Sequence, residues 1–210
     1  KAEGVYYTPQ YIVNYIVDNT LREYIKENNI GTFDGLLKIK VLDPACGSGT
    51  FLIRAFEVLE EEARRILGVR ELGYDEKVKL TTSCIFGVDK DERAVDITKL
   101  RLSLALAVRQ KLPELGRNIK CGDSLIDDPA IVQEKAFKWE ERFKDIMQNG
   151  GFDVVVGNPP YIPIEKFLEK DKGYYLSKYK TPYRKFDSSI LFIEKAVTLL
   201  KKGGFLGFII

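Results

Sequence analysis

The run Phe152-Asp153-Val154-Val155-Val156-Gly157, followed at once by Asn158-Pro159-Pro160-Tyr161, constrains this chain more than any other stretch. Three β-branched residues in a row read as a strand buried on both faces, the kind found inside a parallel sheet. The polar exit then falls at the strand's carboxyl end, where open α/β sheets place their ligands. Two consecutive prolines fix the backbone and remove two N–H donors, so carbonyl oxygens there are free to point outward as acceptors. An Asn side-chain oxygen, a rigid carbonyl and a Tyr ring suit a flat aromatic ring bearing an exocyclic amine. Taken alone, Asn-Pro-Pro is a proline-stiffened turn after a strand; here several other segments fit the same chemistry.

Short apolar runs alternate with longer helical stretches along the chain, which predicts a mostly parallel sheet with crossover helices on both faces. Thr8-Pro9 reads as a helix start, with Thr as N-cap and Pro in the first turn. Tyr11, Ile12, Tyr15, Ile16 and Asn19 then keep helical spacing to about Ile25. Strands are predicted at Ile39–Leu42, Cys84–Val88, Ile119–Cys121, Phe152–Val156 and Phe205–Ile210. Helices are predicted at Thr50 to Leu67, Glu92 to Arg109 and Ser188 to Lys201, with Glu57, Glu60, Glu61 and Glu62 on a solvated side. Residues 68–82 read as an irregular connection with at most another helical turn, 129–148 as amphipathic, and 162–187 as a mobile loop rich in Lys and Tyr.

Composition sets limits on the chemistry. The 210 residues, 45% hydrophobic and 30% charged, describe an ordinary globular domain large enough for a substantial core. A net charge of +2 does not by itself argue for nucleic acid. No apolar run approaches the ~18 residues of a membrane span, and without a signal peptide the expected location is the cytoplasm. Histidine is absent, which removes Ser-His-Asp and Cys-His catalysis and the usual His-containing zinc sites. Cys46, Cys84 and Cys121 form no Cys-x-x-Cys pair and are expected reduced and buried, so no metal site is expected. The chain begins with Lys1 and stops on an apolar strand, so both ends read as cut, a fragment of something longer whose C-terminal strands are missing.

Asp43-Pro44-Ala45-Cys46-Gly47-Ser48-Gly49-Thr50 falls between a strand and a helix, where a Gly-rich loop lets backbone approach a ligand closely. No Lys follows the second glycine, so it is not a Walker loop, and Leu52 stands where a dinucleotide fingerprint has its third glycine. Such a loop suits a smaller nucleoside cofactor. Asp89 ends the second predicted strand, where an acidic side chain hydrogen-bonds ribose hydroxyls in folds of this kind. Gly122-Asp123-Ser124 ends the third, where a carboxylate is placed to accept from an adenine amine; alone it is a turn signal.

In order and number these segments resemble the amino-group DNA methyltransferases of the adenine-N6 type. The resemblance covers essentially the whole chain and is nearest to restriction-modification proteins that join endonuclease and methyltransferase in one polypeptide. Gly4-Val5-Tyr6-Tyr7-Thr8-Pro9 looks like the N-terminal cofactor motif, Asp43–Thr50 the Gly-rich loop, Phe86–Asp91 the ribose-binding strand end, and Asn158–Tyr161 the catalytic motif. Asp187 to Glu194 and the Gly203-Gly204 turn look like the next helix and strand. The implied fold is the Rossmann-like methyltransferase fold, with residues 1–35 an N-terminal helical segment and 36–210 the catalytic core.

The resemblance implies S-adenosylmethionine as cofactor. Asp43, Ala45, Gly47 and Gly49 would surround its methionine part, with Tyr7 and Thr8 from the N-terminal motif and Thr8 at the carboxylate. Asp89 would hold the ribose and Asp123 the adenine, and Lys90 either lines that pocket or stays on the surface. Asn158 and the Pro159 carbonyl would accept the hydrogens of the target amine, with Pro160 stiffening the turn and Tyr161 stacking on a base flipped from double-stranded DNA. A separate target recognition domain, and in relatives an upstream nuclease domain, would complete the protein. Lys166, Lys170, Lys172, Lys178, Lys180, Arg184 and Lys185 are placed either for phosphate contact or on a solvated surface. Alternatives are methylation of cytosine N4, protein glutamine or ribosomal-RNA guanine, or a cofactor-binding subunit without activity.

Overall fold

The computed structural model describes residues 8–106 and 113–210. Five parallel strands form one sheet: β1 (Val41–Asp43), β2 (Ile85–Asp89), β3 (Ile119–Cys121), β4 (Phe152–Gly157) and β5 (Leu200–Phe208), in the order β3-β2-β1-β4-β5. The chain reverses its direction of winding between β1 and β4, whose Val41 and Leu42 pair with Val154 and Val155. A ligand crevice opens beyond the carboxyl ends of the strands at such a reversal.

Eleven α-helices among the described residues cover the sheet. In chain order they are α1 (Gln10–Val17), α2 (Glu23–Glu27), α3 (Phe33–Leu36), α4 (Thr50–Leu67), α5 (Tyr74–Cys84), α6 (Glu92–Ala105), α7 (Pro129–Val132), α8 (Trp139–Arg142), α9 (Lys144–Gln148), α10 (Glu169–Lys178) and α11 (Ser188–Leu199). Successive strand residues point to opposite faces, so Val41, Ile85, Val154 and Val156 pack with side chains of α1, α4 and α6. Leu42, Phe86 and Val155 pack on the other face with Trp139, Phe143, Ala196 and Leu199, joined by Phe152 from before the register shift at Phe152/Val154. Each such side chain fully withdrawn from water contributes about 1.5–3 kcal/mol. No described helix is long and apolar enough to cross a membrane.

The structure departs from the sequence expectations in several places. Residues 68–82 hold most of a full helix, α5, and 162–187 hold α10, pinned by Tyr174 and Tyr179 hydroxyls to Asp127 and the Leu125 carbonyl at 2.8 and 2.6 Å. The N-terminal helix buries Val13, Val17, Leu21 and Ile25, leaving Tyr11 and Tyr15 outside. Its α1 and α2 pieces are joined by a π-helical turn, Asp18–Arg22, in which Thr20 faces β5; a β-carbon on Gly207 would lie 2.3 Å from Thr20 Oγ1. Glu60, Glu61 and Glu62 are not simply solvated. Glu60 pairs with Lys77, and Glu61 and Glu62 with Arg22, fastening neighbouring helices to α4. Helix α6 ends at Ala105 with Leu100 and Leu104 exposed, and residues 107–109 of the predicted helix lie outside the described residues. β5 begins at Leu200, five residues early, because Leu200 pairs with Phe152 before a bulge brings Phe205 opposite Val154.

Candidate active site

Asp43 ends β1 and is almost wholly buried. Its Oδ1 accepts from Ala45 N at 3.0 Å, which starts the turn into the Gly-rich loop. The loop is then held from two sides. From β2, Val88 O accepts from Cys46 N at 3.0 Å and Asp89 Oδ2 accepts from Gly47 N at 2.8 Å. From α6, Thr98 Oγ1 donates to Gly47 O at 2.8 Å and Arg101 Nη1 donates to Ser48 O at 2.7 Å. Gly49, at φ 80°, caps α4 and lies against Thr98, whose Cγ2 would be 2.7 Å from an added β-carbon. The loop is therefore a backbone cradle at the positive end of an 18-residue helix. Cys46 packs beneath it, and burial drives its thiol well above the ordinary range, so it is an inert packing group.

Asp89 sits at the end of β2, as expected, and both of its oxygens are already in use: Oδ1 accepts from Asp91 N at 2.9 Å. Each carboxylate oxygen keeps further acceptor capacity, so the side chain braces the loop without exhausting its lone pairs. Asp123 follows β3. Burial pushes its carboxyl above the usual range, opposed by the N–H of Leu125, which it accepts at 3.0 Å, and by the charge of Lys90. The Lys90 side chain is exposed. The next residue, Ser124, donates to Pro44 O at 2.5 Å, tying the β3 exit to the β1 exit.

At the exit of β4, Gly157 faces Asp43, whose Oδ1 would lie 2.7 Å from an added β-carbon. Asn158 Nδ2 donates to Thr8 Oγ1 at 3.0 Å, and Asn158 Oδ1 is buried with no hydrogen-bond partner. Thr8 is thus not the N-cap of α1. Pro9 takes the capping position without a side-chain bond, and the Thr8 hydroxyl is turned to the site instead. Tyr7 lies outside the described residues. The carbonyl of Pro160, not Pro159, accepts from Ser188 Oγ, which also accepts from Ile162 N at 2.9 Å. Tyr161 is half-buried and its hydroxyl donates to Ile209 O at 2.7 Å, joining the turn to the end of β5.

Four strand ends and the N-terminal segment therefore converge, bringing together Thr8, Asp43, the Gly47–Gly49 loop, Asp89 and Asn158. Sequence reasoning missed Thr98, Arg101, Ser124 and Ser188, which hold the two loops in shape. Nothing in a lone Thr or Ser on a helix signals such a role before its burial is known. Of the scattered lysines, Lys170, Lys172 and Lys178 are engaged with Ile131 O, Glu169 and Asp127.

Comparison with known proteins agrees with this architecture. The chain is 34% identical over 97% of its length to the type II restriction enzyme and methyltransferase RM.Eco57I of Escherichia coli, and covers 22% of that protein. It is 28% identical over 96% of its length to the adenine-specific methyltransferase PglX of Streptomyces coelicolor, covering 18% of it. The chain thus spans about a fifth of the length of these relatives. The solved structure of a nuclease-deletion mutant of the Type ISP restriction-modification enzyme LlaGI, in complex with a DNA substrate mimic, superposes with a TM-score of 0.67. The identity there is 20%, over 97% of this chain and 18% of that one. The fold is that of the S-adenosylmethionine-dependent methyltransferases. A methyltransferase-domain model, RMKL-like, matches residues 38–110, and the Eco57I restriction-modification methylase model matches residues 83–210. With that second match reaching from β2 through the Asn158 turn to β5, over more than half of its length, the chain belongs to the Eco57I restriction-modification methylase family.

Proposed function

We propose that this domain transfers a methyl group from S-adenosylmethionine to the N6 amine of adenine in double-stranded DNA, within a cytoplasmic restriction-modification protein. The observation that carries this reading is the Asn158 carboxamide, with its nitrogen held by Thr8 and its oxygen buried and unpaired. A buried acceptor left unsatisfied costs about 1–3 kcal/mol, a penalty that an incoming N–H relieves. Exocyclic amines present two such hydrogens, and a relative carrying adenine specificity in its name favours adenine among them.

The residues present fit the cofactor. The cradle has no room for a β-carbon at Gly49 or Gly157, and carboxyl groups stand at the ends of β1, β2 and, just beyond its end, β3. Asp43, Ala45, Gly47 and Gly49 surround the methionine part, and Thr8 with the α4 N-terminus meets its carboxylate, Tyr7 belonging to the same N-terminal cofactor motif. Asp89 holds the ribose and Asp123 the adenine, with Lys90 at the rim. Residues 1–35 are the N-terminal helical segment with the cofactor motif and 36–210 the catalytic core. S-adenosylmethionine, when bound, supplies a methyl group already activated on a sulfonium, so no covalent protein nucleophile is needed.

What remains for the chain is positioning and electrostatics. Adenine N6 is a weak nucleophile because its lone pair is delocalised into the ring. Asn158 Oδ1 and the Pro159 carbonyl accept its two hydrogens and favour a more tetrahedral nitrogen. Ser188 anchors the adjacent Pro160 carbonyl and so keeps the turn from rotating. Tyr161 stacks on the flipped base. Target recognition, and in bifunctional relatives DNA cleavage, belong to other parts of the full protein.

The test is Asn158→Ala in the full chain. Turnover should fall about 100-fold or more, as for other preorganised polar groups, while calorimetric titration with S-adenosylmethionine stays nearly unchanged. Normal turnover in that variant overturns the reading.

A further inference from the structure

We infer that Thr8 sets the orientation of the Asn158 amide, and that cofactor occupancy at Thr8 selects the orientation in which the oxygen faces the target amine. The inference rests on the reading of Asn158 as the acceptor and of Thr8 as a contact of the cofactor carboxylate.

The two ends of a carboxamide have nearly the same shape, so packing alone does not distinguish them, and only hydrogen-bond partners decide which way the group points. At Asn158 the structure gives one partner. Nδ2 donates to Thr8 Oγ1 at 3.0 Å across a sequence separation of 150 residues, and Oδ1 is buried without one. A threonine hydroxyl has one proton and two lone pairs. While its proton is uncommitted, the hydroxyl serves either end of the amide, donating to Oδ1 or accepting from Nδ2. Once the proton is given to a carboxylate, only lone pairs remain for Asn158. The amide must then offer Nδ2 to Thr8, which leaves Oδ1 for the base. A hydroxyl that donates to an anion is also a better acceptor.

The placement of Thr8 is fixed well enough for this role. Pro9, itself at φ −55° and ψ 137°, follows it and disfavours helical backbone at Thr8. Helix α1 is anchored through Val13 and Val17 in the core, and the turn after it presses Thr20 against Gly207 of β5, the neighbour of β4. Thr8 therefore arrives beside the exit of β4 on a braced element. Filling the cofactor site thereby prepares the base site, and by reciprocity a correctly seated amine favours cofactor binding.

The experiment follows the Asn158 side-chain amide in the full chain labelled with 15N-asparagine, its resonances assigned by their loss in Asn158→Asp. S-adenosylhomocysteine, which retains the carboxylate, should shift that pair in the wild-type protein. 5′-Methylthioadenosine, which lacks it, should not. The shift should vanish in Thr8→Val and return in Thr8→Ser. Turnover at saturating cofactor on unmethylated genomic DNA should fall about 3–10-fold in Thr8→Val, the worth of one neutral hydrogen bond, and largely recover in Thr8→Ser. An unmoved resonance with S-adenosylhomocysteine bound, or Thr8→Val with normal shift and turnover, overturns the inference while leaving the methyl-transfer reading in place. Failure of S-adenosylhomocysteine to bind, or normal turnover in Asn158→Ala, removes that reading and this inference with it.

Discussion

Asp43 and Gly157 meet across the β1–β4 seam so closely that a β-carbon on the glycine would stand 2.7 Å from Asp43 Oδ1. Two strands that share the switch point of the sheet thus lean on one carboxyl group, which also accepts the N–H that begins the Gly-rich loop. Gly157→Ala should push Asp43 aside and distort both loops together. A loss of about 1–3 kcal/mol in urea unfolding is expected, the usual cost of overpacking, together with weaker binding of S-adenosylmethionine. An unperturbed midpoint would mean that the seam is looser than these contacts imply.

The same carboxyl makes stability depend on pH. Burial pushes the Asp43 pKa from 3.8 up to about 8, against the pull of the Ala45 N–H and with help from the Asp89 charge. A raised carboxyl pKa means that the folded chain holds the proton more tightly than the unfolded chain. The stability it contributes is complete below the ordinary value of about 3.9 and is lost as pH rises through about 8. Without cofactor, the wild-type protein should therefore lose stability relative to Asp43→Asn on going from about pH 4 to about pH 8. Parallel pH profiles in urea titrations would place the carboxyl in water.

The two loop glycines should respond differently to the same change. Gly47, at φ 50°, has open space where a β-carbon would go, whereas Gly49, at φ 80°, would drive one into Thr98. Gly47→Ala adds only the left-handed backbone penalty, about 1–2 kcal/mol. Gly49→Ala adds that penalty and a clash, so its melting temperature should fall further and Gly49→Ala/Thr98→Ser should recover part of the difference. Equal losses in the two single variants would show that backbone strain alone governs the loop.

The strands and the strand-end loops were legible in the sequence because their signals are local: a β-branched run, then glycine, proline or acidic residues at the exit. What was not legible depends on partners distant in sequence. Tyr11 and Tyr15 share the spacing of Val13 and Val17, so periodicity offered two faces of α1 and only docking on α4 and β5 selects the valine face. Helix α10 reads as polar because Glu169, Lys170, Asp171 and Lys172 open it, yet Tyr175 within it and Tyr179 at its end are buried. Thr8-Pro9 has the pattern of a helix cap, and the competing use of its hydroxyl lies at Asn158, far along the chain. Thr98 and Ser188 carry no local mark at all.

Tyr161 combines two roles that substitution should separate. Its hydroxyl donates to Ile209 O at 2.7 Å and so ties the Asn158–Tyr161 turn to the end of β5, while under the proposed function its ring is the surface for a flipped base. Tyr161→Phe removes only the tie, and should lower stability by about 1 kcal/mol with turnover largely kept. Tyr161→Ala removes the ring as well; base stacking on an aromatic side chain is worth about 1–3 kcal/mol, so a further loss of roughly 5- to 150-fold in kcat/KM for DNA is expected. Fluorescence of 2-aminopurine at the target position would report the flipped base directly, its signal persisting in Tyr161→Phe and collapsing in Tyr161→Ala. A Phe variant as impaired as the Ala variant would assign the residue to fastening the turn and leave the stacking surface to another side chain.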